Sequence, residues 1–335
     1  MVFFFINSLS IAEEEVKYHS NDHGVVSIMY HRFEENKYPS TNIKIDIFKK
    51  QLELIDNNNI EYYDPIKFDK EYNDPKNNHK VLITIDDAFL SFYENAWPIL
   101  KKKRIPFILF VSTEPVGKSG YMNWEQIKEI SSYDFAYIGN HSHTHEYLLN
   151  FSHTEFEKDI KNSIKIFKDK LGYNPIFFSY PFGEYNLKQT KFIKKNFKYG
   201  FGQHSGVIDS TKNQFELPRF PINEKYGDLD RFKFILKLFP IPYKHLNPED
   251  KFISKKQNPP TVKINFFDEQ KYIKNINCFS NEGNEWRNPI MEFKKNSLEI
   301  NFREKFTFRR GRVNCSVQDT NIWRWLGIQM SVEVD

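Results

Sequence analysis

The feature that most constrains this chain is a short apolar run at residues 81–85, VLITI, followed at once by two carboxylates, Asp86 and Asp87. A run this short and this rich in β-branched residues is typical of a buried strand. Two acids at the end of a buried strand repel each other and lose hydration, so they need a cation or a shared proton. The sequence therefore predicts a strand that delivers charge into a site.

A candidate partner for these acids lies downstream in NHSHTHEYL, which contains His141 and His145 four positions apart. Two histidines and one aspartate make a three-ligand set, which leaves a catalytic metal an open position for water. A set of this kind suits zinc, and cobalt or nickel would fit as well. The sequence therefore predicts a divalent metal site, most simply a zinc site.

Strand and helix patterns alternate over the first two thirds of the chain. Strand-like runs at 24–33, 81–85, 105–112, 135–139, 176–180, 199–203 and 217–223 are separated for the most part by amphipathic helical patterns. Roughly seven such units indicate parallel β/α units and favour a closed or nearly closed barrel over an open sheet. Each polar candidate follows a strand, including His31 after the first, and barrel active sites lie on that face.

The composition changes near residue 245, where the helical patterns stop. We predict a barrel at 21–245, a linker at 246–260 and a small antiparallel β-sandwich at 261–335, because the last part has short runs separated by turn residues. The Arg- and Trp-containing runs at 308–316 and 322–327 either stack on sugars or carboxylates, or pack the sandwich onto the barrel, and packing is favoured. Cys278 and Cys315, the two cysteines, are either a disulfide or two free thiols.

Three motifs together resemble those of the polysaccharide deacetylase family, the NodB-homology domain of carbohydrate esterase family 4. They are TIDDA at 84–88, HSHTH at 141–145 and YPFG at 180–183. HRF near residue 31 and LPRFP near residue 217 are similar to the flanking signatures of that family. The resemblance covers about residues 22–240. It implies a deformed (β/α) barrel and a metal-dependent hydrolase that removes acetyl groups from N-acetylated sugars.

The resemblance also implies roles for particular residues. Asp87 would bind the metal with His141 and His145, and Asp86 would act as the general base. Pro181 and Phe182 would line the acetyl pocket, and the backbone N–H of Phe182 would help to hold the oxyanion.

Two departures from the family pattern affect the remaining site residues. The position that usually carries an Arg, two residues before the Pro of the third motif, is Ser179, and the late Trp-Asp and Leu-x-His elements are missing. The amine leaving group still needs a proton, and we predict His204 as the substitute general acid. Arg219 is expected to orient Asp86 or to bind substrate, and His31 to reach the rim of the pocket.

The sequence thus predicts an exported, metal-dependent carbohydrate N-deacetylase acting on an N-acetylated glycan. O-acetyl ester or non-sugar amide hydrolysis on the same metal site is one alternative, and a catalytically degenerate carbohydrate-binding protein is another. Residues 1–20 are predicted to be a leader segment with a small-x-small cleavage pattern. Forty-eight basic against 44 acidic residues argue against a nucleic-acid partner, and no apolar run is long enough to span a membrane. The oligomeric state stays open.

Overall fold

The computed structural model of the protein describes residues 24–72, 79–268 and 270–333. The predicted leader segment at 1–20 lies outside the described residues. Within the described ranges, no helix combines the length and the apolar character that crossing a membrane would require.

The N-terminal part is built around a nine-stranded sheet with helices between the strands. Strands β2 and β3 of this part form a separate pair outside the sheet. In chain order, the strands are β1 Val25–Tyr30, β2 Arg32–Phe33, β3 Asn42–Ile43, β4 Glu61–Tyr62, β5 Lys80–Ile85, β6 Phe107–Val111, β7 Ala136–Asn140, β8 Phe177–Ser179, β9 Tyr199–Phe201, β10 Val207–Ile208 and β11 Phe220–Pro221. The helices are α1 Ile45–Asn57, α2 Phe68–Glu71, α3 Trp97–Lys103, α4 Trp124–Ser131, α5 His153–Leu171, α6 Leu187–Asn196 and α7 Leu229–Ile235.

The sheet curls into an incomplete barrel. Strands β1, β5, β6, β7, β8 and β9 lie side by side and pair in parallel, as the alternating pattern predicted. The segment after Leu217 nearly closes the gap, because Leu217 bridges Phe201 of β9 while Phe220 pairs with Ile28 of β1. The prediction of a deformed β/α barrel is confirmed.

Two further sheets follow and pack face to face. Their strands are β12 Leu238–Pro240, β13 His245–Asn247, β14 Phe252–Ile253, β15 Thr261–Asn265, β16 Asn277–Ser280, β17 Ile290–Lys294, β18 Ser297–Asn301, β19 Arg310–Asp319 and β20 Ile322–Val332. One sheet has the order β12-β20-β19-β16 with β14 also on β20, and the other has the order β13-β15-β18-β17. The pairing is antiparallel except where β12 and β14 join β20 in parallel. Alternate side chains of both sheets form one apolar core, which is the architecture of a β-sandwich.

The stretch predicted as a linker carries secondary structure. Strand β13 overlaps its start and pairs with β15, while β14 lies inside it and pairs with β20. Residues before 261 therefore contribute strands to the sandwich sheets. The division at 21–245, 246–260 and 261–335 itself stays a prediction.

The two cysteines form a disulfide within one sheet of the sandwich. Cys278 on β16 lies directly opposite Cys315 on β19, and both are fully buried. The sequence left this pairing open, and the bond joins neighbouring strands rather than the two sheets.

The backbone of the barrel lies directly against the backbone of the sandwich. Gly206, beyond β9, forms a bridge with Leu326 on β20. A Cβ atom added at Gly327 would collide with the carbonyl oxygen of Ser205. Glycine at 327 is therefore what allows this close approach.

Candidate active site

The two acidic residues lie where β5 ends, and the backbone turns sharply there. Asp86 still follows the strand, because its N–H donates to the carbonyl of Tyr30 on β1 at 2.9 Å. Asp87 and Ala88 then take positive φ values of 74° and 56°. Non-glycine residues rarely adopt this conformation, and it occurs mainly where the surroundings hold it in place. The turn directs the two consecutive carboxylates into one buried site.

The histidine loop after β7 is held by a framework of buried polar groups. The side chain of Asp159 on α5 accepts hydrogen bonds from the backbone N–H groups of His143 and Thr144 at 2.8 and 3.0 Å. The Nδ1 atom of His141 lies 2.7 Å from the carbonyl oxygen of Ser179. A carbonyl only accepts, so Nδ1 carries the proton and Nε2 keeps its lone pair.

Asp87, His141 and His145 form a compact cluster whose candidate ligand atoms all lie within 4.8 Å of one another. Asp87 Oδ1 lies 3.4 Å from His141 Nε2 and 3.0 Å from His145 Nε2. Burial alone would raise the pKa of the Asp87 carboxyl, but the two histidines hold that pKa well below its usual range. Burial alone would lower the pKa of His145, but the Asp87 carboxylate raises that pKa above its usual value.

The cluster fits a divalent metal on its own chemistry. Asp87 Oδ1 and His141 Nε2 are buried and make no hydrogen bond of good geometry to any described residue. Buried polar atoms without partners are costly, and a cation between them would satisfy both. One carboxylate and two imidazoles also match the open three-ligand sets of catalytic zinc sites.

Asp86 is held by a fully buried arginine, Arg219. The guanidinium donates to Asp86 Oδ1 at 2.6 Å and to Oδ2 at 2.8 Å. It also donates to the hydroxyl of Ser179 at 2.8 Å. Burial alone would raise the pKa of Asp86, but Arg219 and, to a smaller extent, His141 keep that pKa below its usual range. Arg219 therefore lies beside the position where the family pattern has its arginine.

The turn after β8 forms another wall of the site. Phe182 has a φ of 59°, and its ring lies 4.9 Å from that of His145 and 4.2 Å from the stacked ring of Tyr147. The side-chain amide of Gln329, on β20 of the sandwich, donates to the carbonyls of Phe182 and Gly183 at 3.2 and 2.9 Å. The sandwich thus contacts the turn that carries the predicted oxyanion donor.

The two remaining histidines near the site differ in their surroundings. His31 Nε2 lies 4.0 Å from Asp86 Oδ2, and burial lowers the pKa of His31 while Asp87 and Asp86 oppose that effect. Burial also lowers the pKa of His204, to about 3, and its charged neighbours are all cations, Lys251 first. A histidine with so low a pKa is neutral at physiological pH. His204 is thus poorly suited to be the acid that the sequence predicted.

A cleft of about 700 Å³ opens from this site between the barrel and the sandwich. Its barrel side includes His31, Asp87, His145, Phe182 and His204. Its sandwich side includes Trp286, Arg310, Arg312, Asn314 and Trp325.

Pro181 is buried at the start of the turn that carries Phe182. Among the predicted site residues, Asp86, His141 and Arg219 have no exposed surface.

A curled β/α barrel with a buried Asp-His-His cluster beside a second carboxylate has the layout of a metal-dependent barrel hydrolase. Residues 73–200 match the family described as polysaccharide deacetylase. This match covers the segment that carries the three motifs and agrees with the resemblance they indicated.

Relatives with known names agree with this assignment. The poly-beta-1,6-N-acetyl-D-glucosamine N-deacetylase of Staphylococcus aureus (strain MSSA476) is 30% identical over 171 residues, which are 47% of this chain and 57% of the relative. The putative polysaccharide deacetylase YxkH of Bacillus subtilis (strain 168) is 26% identical over 144 residues, or 43% of this chain and 51% of the relative. The chain thus spans little more than half the length of these relatives.

Solved structures share the fold. IcaB from Ammonifex degensii superposes with a TM-score of 0.57 at 23% identity, over 65% of this chain and 99% of that chain. The Streptococcus pyogenes deacetylase PplD, in complex with acetate, gives a TM-score of 0.56 at 23% identity, over 61% of this chain and 95% of that chain.

Sequence reasoning missed three residues that shape the site. They are Asp159, which holds the histidine loop, Ser179, whose carbonyl fixes the His141 tautomer, and Gln329, which holds the turn. From the sequence, Ser179 was identified only as a departure from the third family motif. Asp159 and Gln329 gave no local signal, because the segments they bind lie outside their own elements, 15–16 positions away for Asp159 and 146–147 for Gln329.

Proposed function

We propose that the protein hydrolyses N-acetyl groups on a glycan that contains N-acetylglucosamine. The observation that carries this proposal is the buried Asp87-His141-His145 cluster next to Asp86, at the base of a cleft large enough for a sugar chain. The relative from S. aureus, named as an N-deacetylase of poly-beta-1,6-N-acetyl-D-glucosamine, supports the substrate class.

Asp87, His141 and His145 would hold the metal, for which zinc is proposed and cobalt or nickel would also serve. A bound divalent ion would supply Lewis-acid polarisation of the acetyl carbonyl and lower the pKa of water at the site. The proton of His141 stays on Nδ1, where the Ser179 carbonyl accepts it, so Nε2 is ready as a ligand without rearrangement.

Asp86 is the proposed general base. Arg219 engages both of its oxygens, which fixes the carboxylate plane and favours the ionised form that accepts a proton. The carboxylate also lies next to the cluster, because Asp86 Oδ2 is 3.8 Å from His141 Nε2. Arg219 is thus proposed to orient the base rather than to bind substrate.

The Phe182 backbone N–H is the proposed oxyanion donor, and Pro181 and Phe182 form the acetyl pocket. Losing one donor of this kind typically slows turnover by about 10²–10³-fold. A main-chain donor depends on the position of the turn, which the amide of Gln329 holds from the sandwich.

We assign the proton for the departing amine to His31 in place of His204. His31 faces the cleft, and burial lowers its pKa, but unlike His204 it has two carboxylates, Asp87 and Asp86, that oppose this effect. The charged groups near His204 are cations, which add to the effect of burial. Proton transfer from Asp86 to the amine by way of His31 would need little movement, because the two side chains are 4.0 Å apart.

An extracytoplasmic location is proposed as well. The Cys278–Cys315 disulfide supports it, because such bonds persist mainly in oxidising compartments. The leader segment proposed at residues 1–20 would be consistent with export.

The test is acetate release from N-acetylglucosamine oligomers, as isolated, after chelation and after zinc return, with an O-acetylated sugar alongside. Chelator-sensitive release from the amide that zinc restores is the expected result. Release from the ester alone would identify an esterase instead. A protein that neither binds metal nor releases acetate would be a glycan-binding protein.

Two carboxylate variants separate metal binding from catalysis. Asp87→Asn should lose both the bound metal and turnover, whereas Asp86→Asn should keep the metal and lose at least about 10²-fold in kcat. Asp268→Asn, at an exposed carboxylate of the sandwich, is the matched control. An Asp86→Asn enzyme with full turnover would contradict the assignment of the base.

A further inference from the structure

The sandwich side of the cleft carries an unusual concentration of positive charge. Arg310, Arg312 and Asn314 alternate along β19 with buried core residues, so all three side chains point toward the barrel. Arg231 of α7 lines the cleft from the other side. Among the cleft-lining residues, the only carboxylate is Asp87, which belongs to the metal cluster.

Arg312 forms no ion pair with a carboxylate among the described residues. Its Nε donates to the side-chain oxygen of Gln329 at 3.2 Å. Burial, and after it the neighbouring charge of Arg310, lower the pKa of Arg312, while Tyr226 and Glu184 only partly oppose that effect. An anion in the cleft would compensate a guanidinium in this state.

Arg310 is only partly neutralised. Its Nε lies 3.7 Å from Glu184 Oε1, but Arg309 already donates to both oxygens of that carboxylate, at 3.3 Å to Oε1 and 2.9 Å to Oε2. One buried acid therefore serves two guanidinium groups. The pair Arg310 and Arg312 consequently faces the cleft with more positive charge than the protein supplies in counter-charge.

This pair lies close to the reacting centre. Gln329 accepts from Arg312 and donates to the Phe182 carbonyl, so one side chain separates the guanidinium from the proposed acetyl pocket. The indole of Trp325 lines the same cleft, and its N–H donates to Ser205 at 2.8 Å. A fixed indole offers an apolar face on which a sugar ring can pack.

We propose that Arg310 and Arg312 form an anion subsite, and that the preferred substrate is a glycan carrying carboxylate or phosphate groups near the N-acetyl group that is removed. This inference rests on the proposed deacetylase function for its turnover readout. A neutral glycan would leave the excess positive charge of the two guanidinium groups without a counter-charge, whereas a carboxylate or phosphate would accept bidentate, charge-assisted hydrogen bonds.

The test uses one N-acetylglucosamine polymer in three forms, bearing neutral hydroxyethyl ethers, carboxymethyl ethers or phosphate esters at matched substitution. We expect the wild-type protein to release acetate from the anionic forms with a kcat/KM about tenfold above that of the neutral form. The kcat/KM advantage of the anionic forms over the neutral form should become smaller at high salt. The stronger of the two anionic forms identifies whether carboxylate or phosphate is preferred.

Variants assign the preference to the two arginines. Arg310→Gln and Arg312→Gln should each reduce the ratio of anionic to neutral kcat/KM to within about twofold of unity, while Arg312→Lys should retain part of it. The hydrogen bonds of the Gln329 side chain go to Arg312, Phe182 and Gly183, so the Arg310 variant tests charge while leaving those bonds in place. Arg104→Gln, which removes a surface arginine paired with Asp134, is the control and should keep the wild-type ratio.

Direct binding of the three polymers separates this inference from the proposed function. If no form releases acetate but the anionic forms bind more tightly, and Arg310→Gln removes that difference, the subsite stands and the deacetylase proposal fails. Equal kcat/KM and equal affinity for neutral and anionic forms would overturn the subsite. A preference that both glutamine variants retain would overturn it as well.

Discussion

The contact between Gln329 and the turn at Phe182 gives the sharpest test of how the sandwich serves the site. Gln329 is 4% exposed, and its amide donates to two carbonyls of the turn. Gln329→Leu keeps a side chain of similar length and removes both donors. The carbonyls of Phe182 and Gly183 would then be left inside the seam between barrel and sandwich without these partners.

The magnitude follows from three lost hydrogen bonds, two to the turn and one from Arg312. Each is worth about 0.5–1.5 kcal/mol net, so the free energy of unfolding should fall by about 1.5–4.5 kcal/mol. The rate should fall as well, because a displacement of the Phe182 N–H by about 1 Å costs on the order of 10²-fold in rate. We expect kcat to fall by about 10–100-fold, with KM and metal content near wild type.

The assay combines acetate release, metal content and urea unfolding on the same preparations. Gln329→Glu keeps the acceptor for Arg312 but cannot donate, so it should resemble Gln329→Leu in kcat. Gln318→Leu, at an exposed position on β19, should resemble wild type. A Gln329→Leu protein that loses stability but keeps its full kcat would refute the view that this residue positions the oxyanion donor.

Three other predictions concern the buried polar groups and the disulfide. Arg219→Lys loses the two-pronged contact with Asp86 and should lower the free energy of unfolding by about 1–3 kcal/mol in urea titrations; an unchanged value would contradict its structural role. Folding lowers the pKa of His204 from 6.5 to about 3. Between these two pH values the imidazole is protonated in the unfolded chain but not in the folded protein, so the free energy of unfolding falls as the pH drops from about 6.5 to about 3. His204→Gln should flatten this loss in unfolding curves recorded across the window, whereas the exposed His245→Gln should not. Replacing Cys278 and Cys315 by alanine removes a covalent link between residues 37 positions apart and should lower the free energy of unfolding by about 3–4 kcal/mol. The wild-type protein with its disulfide reduced should show a similar loss.

The parts of the site that the sequence predicts well are those with local signals. The apolar run before Asp86 and the spacing of His141 and His145 each specify a strand end or a loop within a few residues. The barrel follows from the repetition of such units. These signals are strong because short-range pattern and burial agree.

The remaining parts depend on contacts between distant segments. Arg219 meets Asp86 across 133 positions, and Gln329 meets the turn across 146 and 147 positions. The choice between His31 and His204 depended on which charges surround each ring, and a sequence does not give that arrangement. The strands within the predicted linker were missed because β13 and β14 are three and two residues long, too short for a periodic pattern.

The close approach at Gly327 bears on how this protein can be re-engineered. Exchanging the sandwich for another at a boundary near residue 245 would succeed only if the new sheet also brought a glycine opposite Ser205 and an amide donor opposite the turn. The barrel taken alone would expose its side of the cleft to solvent. Recombination of this protein with its relatives is therefore best planned with breakpoints inside surface loops of the barrel, leaving the contact between barrel and sandwich intact.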